Sequence, residues 1–329
     1  MFIIMSGFLM AYNYYDREIT YNPFIFALKK IWALYPLHIF CMVIVLVKPV
    51  LSIVVNHSFS GLFENIKYFV CNVLLVQAWI PNYSYYYSLN AVSWYLCICV
   101  FFYFLFPFII RLLRKINSKR TIFFLVLFII LLEVLISVIA YFFASDNRFD
   151  TFSAHWVTYI FPISRLCDFL LGCCFGLIVT RFGRCRSSNN QLWSLLSLIA
   201  FLGVLLLCVS NALPFLNMEC LKYSLVFMPV SVLLICTFSG KSIFMKKIVC
   251  LKPVKFLSEL TPYAFLMHTI VLRIIKAGFC FVMGESVLVM VFAIIASFVL
   301  TLFLSWIYQK LLLPKVMNVQ KRMIKKESA

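Results

Sequence analysis

Arg165 and Asp168 stand three residues apart inside an apolar run, a spacing that puts both side chains on one face of a helix. A charge at membrane depth is costly alone and cheaper when paired, so three readings are open for Arg165: a local ion pair, a contact to an anionic group of a substrate, or incidental placement at the interface. His268 lies well inside the apolar run 256–277. A histidine there either lines a functional cavity, where it can move protons near neutral pH, or makes one buried hydrogen bond. His38 follows Tyr35 and Pro36 at the start of the run 31–55, where it meets a cytoplasmic ligand or is an ordinary interfacial histidine. Lys29 and Lys30 bring positive charge to the same end. Glu133, within the run 121–143, must face protein or be protonated. The 13 cysteines show neither metal-ligand spacing nor a disulfide framework, and no metal site is expected.

The elements that hold these residues follow from composition. Of 329 residues, 64% are hydrophobic and 12% are charged, too little polar material to cover a soluble domain. The apolar runs are near the length of about 20 residues that carries a helix across the bilayer. They show no period of two, which excludes an outer-membrane barrel. The fold class expected is all-α, a polytopic transmembrane helical bundle. The clear runs are 31–55, 91–110, 121–143, 162–180, 191–210, 221–240, 256–277 and 287–309, giving eight full spans. Residues 1–12 add an N-terminal partial helix.

The net charge of +18 sits in short connectors and not on a soluble face, so no nucleic-acid partner is expected. Connector 111–120 holds five basic residues, 181–190 three, 241–255 five and the end of the chain, 310–329, six. Between them 144–161 holds Arg148 alone, and 211–220 and 278–286 hold none. The positive-inside rule therefore places the rich connectors and the C-terminus in the cytoplasm. The same rule leaves residues 56–90 as an excursion on the outer side with an interfacial or re-entrant helix near 68–80. Residues 1–12 are too short to cross; they form a short tucked helix, or, as is the expectation, a preceding helix and part of this one are missing. Residues 1–312 form one transmembrane domain, N-terminally incomplete, and 313–329 a basic cytoplasmic tail.

Several blocks, in order, carry a family likeness. Residues 2–9 (FIIMSGFL), 31–37 (IWALYPL), 77–81 (QAWIP) with 90–96 (NAVSWYL) and 102–107 (FYFLFP), 161–172 (FPISRLCDFLLG) and 257–268 (LSELTPYAFLMH) resemble the segments of the acyltransferase-3 family of bacterial membrane acyltransferases. That family is similar to the O-acetylases of O-antigen and other surface polysaccharides. Three positions depart from its pattern: the arginine and histidine usual in its first helix are absent, its RxxR element is represented by Lys29 and Lys30, and Cys99 stands where many members have glutamate.

The resemblance implies a multi-pass protein of the bacterial inner membrane that transfers an acyl group, acetyl from acetyl-CoA, to a hydroxyl of a cell-surface or lipid-linked glycan. Its partners are then membrane lipid and that glycan. Under this reading His268 and Arg165 are the catalytic candidates, and Lys29, Lys30 and His38 face the donor. Two alternatives stand beside it: a transporter or glycan flippase, and an inactive truncated homologue.

Overall fold

The computed structural model describes residues 2–56, 61–182, 195–196, 198–200, 202–203, 219–222, 225–239 and 247–327. Among them there is no strand; the longer elements are helices. In chain order these are α1 (Phe2–Tyr14), α2 (Pro23–Ile31), α3 (Tyr35–Asn56), α4 (Leu62–Val73), the short α5 (Tyr83–Tyr86), α6 (Trp94–Arg114), α7 (Lys119–Phe143), α8 (Pro162–Arg181), α9 (Met228–Ser239), α10 (Lys252–Met283), α11 (Val287–Ile307) and α12 (Leu313–Glu327). Helices satisfy their backbone within the segment, which is what an apolar solvent demands.

Five helical stretches among the described residues are long and apolar enough to cross a membrane: α6, α7, α8, α10 and the continuous stretch Val287–Met323. Helices α2 and α3 taken together, bent by 60° at the break between them, pass the same test of length and composition. Pro36 explains the break, because it has no N–H to offer the carbonyl one turn earlier. The run expected at 191–210 falls largely outside the described residues, and 221–240 is described as helix over Met228–Ser239. The count of eight is therefore not reached among the residues described. The stretch expected as a tail is helical: α12 continues from α11 through a wider turn at Tyr308–Leu312.

The chain gathers into two compact units. The first comprises Met1–Phe26, Ala78–Tyr83 and Phe101–Leu251. Its centre is the close crossing of α1 and α8, in which glycines let two backbones meet. A Cβ on Gly172 would lie 2.8 Å from the Phe8 nitrogen, and one on Gly176 would lie 2.8 Å from the Phe8 oxygen. Gly7 faces the Phe169 carbonyl in the same way. Around this crossing Phe102 and Phe169 stack at 4.8 Å, and Phe106 meets Phe169 edge-on at 6.2 Å. Two arginines fasten the end of this unit. Arg114 donates to the carbonyls of Tyr14 and Arg17, and Arg181 to those of Arg114 and Ile116.

The second unit comprises Ala27–Gln77, Ser84–Val100 and Lys252–Ala329. Here α11 turns Val289, Ala293, Ser297, Thr301 and Ser305 inward, one every four residues, so small side chains make its packing face. Leu37, Cys41, Leu266, Met267 and Ile270 form the core between α3 and α10. Helix α4 runs back along α3, since the Tyr35 hydroxyl donates to the Val73 carbonyl at 2.9 Å. The helix expected near 68–80 within this excursion is α4, which lies at Leu62–Val73. Charge counting had no means of showing that its end returns to the first turn of α3.

The glycine crossing predicts a specific sensitivity. Gly172→Ala drives a methyl into the backbone of α1, and overpacking of this kind costs about 1–3 kcal/mol or more. Thermal unfolding in detergent should show a lowered midpoint for Gly172→Ala and no loss for Gly278→Ala, where a Cβ meets nothing within 4 Å.

Candidate active site

Polar side chains that the apolar runs bury fall into two groups, one in each unit. In the first unit Pro162 opens α8, where its missing N–H is not needed, and sets Arg165 and Asp168 one turn inside. Arg165 Nη2 lies 2.5 Å from Asp168 Oδ2, with side-chain exposures of 4% and 2%. Arg165 Nη1 also donates to the Thr158 carbonyl at 3.2 Å, and the guanidinium stands 5.9 Å from the centre of the Tyr159 ring. Burial pushes the Tyr159 phenol above its usual range, and the Arg165 charge opposes that shift. Arg165 and Asp168 therefore form the local ion pair that was one of the readings of their spacing. Glu133 and Ser137 are buried on the inner face of α7, so Glu133 faces protein as its position in the run required.

The second unit holds the larger polar group. Asn72, at the end of α4, donates through Nδ2 to the Tyr68 carbonyl at 2.9 Å and to Ser88 Oγ at 2.7 Å. Its Oδ1 stands 2.9 Å from Ser93 Oγ, which also lies 2.7 Å from the Asn90 carbonyl. Asn90 Nδ2 donates to the Leu266 carbonyl at 2.9 Å, and its Oδ1 accepts from Thr269 Oγ1 at 3.1 Å. Gln77 Nε2 reaches Ser93 Oγ at 3.4 Å. Asn72, Gln77, Asn90 and Ser93 are each fully buried. Leu75 and Leu89 take left-handed backbone, with φ of 53° at each, flanking this group on both sides.

The histidines differ. His38 is fully buried, its Nε2 3.1 Å from the Asn72 carbonyl, so Nε2 carries the proton and Nδ1 is the lone-pair nitrogen. It therefore sits in the interior of its unit instead of being presented at a face. His268 is exposed, and its Nδ1 lies 2.8 Å from the Phe265 carbonyl. A carbonyl on Nδ1 fixes that proton and leaves Nε2 as the lone-pair nitrogen pointing away from the helix. His268 sits sixteen residues into α10, about 24 Å along it at 1.5 Å per residue. Lys29 and Lys30 occupy the last turn of α2, where a positive charge suits the helix dipole. The Lys29 carbonyl accepts from Gln320 of α12 at 3.0 Å.

The blocks singled out in the sequence are thus joined in space. Residues 2–9 meet 161–172 through Gly7, Phe169 and Gly172 in the first unit. In the second, 90–96 meets 257–268 through Asn90 and Leu266, with the Tyr95 and Phe265 rings 5.6 Å apart. A family model for an acyltransferase domain matches residues 1–309. The chain belongs to the acyltransferase-3 family. No curated protein and no solved structure matches it. The family match supports acyl transfer in general over the transporter reading.

Sequence reasoning did not single out Asn72, Ser88 or Thr269. The available signal was the presence of amides within apolar or aromatic stretches, since an amide in hydrocarbon needs partners.

Two outcomes follow. Removing one member of the buried ion pair, as in Asp168→Asn, strands the other charge and should cost about 3–5 kcal/mol, whereas Arg165→Met with Asp168→Leu together should cost less than either single change. Unfolding midpoints of Asp168→Asn, the double variant and its two single changes check this. Asn90→Leu removes hydrogen bonds to Leu266 and Thr269 and should cost about 1–2 kcal/mol, near the upper range for polar contacts between membrane helices, in the same assay.

Proposed function

We propose that the protein transfers an acetyl group from acetyl-CoA to a hydroxyl of a lipid-linked or cell-surface glycan, with His268 as general base. The match to an acyltransferase domain over residues 1–309 carries the reaction type. The outward Nε2 of His268, held in one tautomer by the Phe265 carbonyl, supports the assignment of the base. A histidine midway along a membrane-crossing helix is costly against lipid, so this side chain looks toward protein or water.

In the reaction the acceptor hydroxyl donates its proton to His268 Nε2 while its oxygen attacks the thioester carbonyl carbon. The carbon–sulfur bond then breaks, and the imidazolium returns the proton to the departing thiolate. Asn90 and Thr269 act as positioning residues: they tie the 88–93 loop to α10 next to His268 and hold that part of the helix in place. Lys29 and Lys30 are assigned to the phosphates of the donor, and His38, interior and bonded to Asn72, to support of the same unit. The Arg165–Asp168 pair holds the start of α8 and has no assigned step. The setting is the bacterial inner membrane, with the basic connectors and the C-terminus in the cytoplasm.

Labelled acetyl from acetyl-CoA should appear on glycan in membranes carrying the wild-type chain. His268→Ala should lower kcat by about 10²–10⁴-fold, the usual weight of a general base, with the chain still folded and inserted. Unchanged kcat in His268→Ala removes His268 from the mechanism. Absence of label with every variant and with wild type removes acetyl-CoA and glycan as the substrate pair.

A further inference from the structure

Between α3, α10, α11 and α12, all within the second unit, lies a cavity of about 520 Å³. That volume falls within the range of about 300–1,000 Å³ found for small-molecule sites. Its walls are almost wholly apolar, from Leu37 and Phe40 on one side to Leu300 and Leu304 on another. The two hydrogen-bonding groups on the wall are already engaged: the Tyr308 hydroxyl donates to the Ala33 carbonyl at 2.8 Å, and Cys41 Sγ to the Leu266 carbonyl at 3.7 Å. Neither a sugar nor a nucleotide would find partners here. Lys315 is the single charged residue of the lining, and it is exposed at one end.

That end has the character of a headgroup region. The Trp32 indole donates to the carbonyl of Val316, next to Lys315, and Trp favours the membrane interface. Lys321 and Arg322 follow on the same helix, α12. From Lys315 back to Leu300 is fifteen residues, about 22 Å of helix, more than the roughly 15 Å of one leaflet's hydrocarbon. We propose that this groove is a binding site for an anionic membrane phospholipid, with one hydrocarbon chain along the apolar walls and the phosphate at Lys315. The apolar walls select a chain and the lysine selects a negative headgroup. This site is separate from His268 and does not rest on the acyl-transfer reading.

The test is native mass spectrometry of the full chain taken from bilayers of equal parts phosphatidylglycerol and phosphatidylcholine. Wild type and Lys315→Arg should retain phosphatidylglycerol with about a five-fold preference, the weight of one lysine near an anionic surface. Lys315→Glu should abolish the preference, and Ile274→Trp, which fills the groove, should remove the retained lipid. Because Ile274 is 56% exposed and Lys315 is exposed, both variants are expected to fold, and the helical circular dichroism signal checks that they do. Equal retention of both lipids by wild type, or wild-type retention in either variant, marks the lipid as annular only and overturns the proposal.

Discussion

A polar group inside hydrocarbon has no water to turn to, and that constraint organises this molecule more than any single contact. It accounts for the helices, because only segments that close their own hydrogen bonds can cross. It also accounts for the 2.5 Å pairing of Arg165 with Asp168 and for the chain of amides and hydroxyls from Asn72 to Thr269. Every one of these polar groups is held by protein because the solvent cannot hold it.

Without a hydrophobic force between helices in lipid, close packing must come from shape. Glycine supplies it in the first unit, where α1 and α8 touch backbone to backbone at Gly7, Gly172 and Gly176. In the second, the small face of α11 supplies it. The two solutions differ because the first lets backbones meet, while the second keeps side chains between them. The same second unit also gathers the polar group and His268, so the elements that pack most simply carry the residues with the most chemistry.

Much of this was legible in the residues. The apolar runs foretold α6, α7, α8, α10 and α11, and the three-residue spacing foretold the contact between Arg165 and Asp168. The family blocks foretold the acyltransferase domain. Other features were not legible because they depend on partners far away in the chain. His38 reads as an interfacial residue until Asn72, thirty-four positions later, is seen beside it. Asn90 heads one of the family blocks, yet its partner shows only when its amide is seen on the Leu266 carbonyl. The return of α4 along α3 left no charge signature at all, because its end packs through a tyrosine and a backbone carbonyl.

The central claim is that a membrane-embedded helical chain moves an acyl group out of a thioester. The most direct measurement is release of the coenzyme-A thiol by the purified protein in liposomes, with and without a hydroxyl-bearing glycan acceptor. The account predicts thiol release that rises with acceptor concentration and saturates, one acyl group appearing on the acceptor for each thiol freed. A rate equal to that of protein-free liposomes, whatever the acceptor, would contradict it.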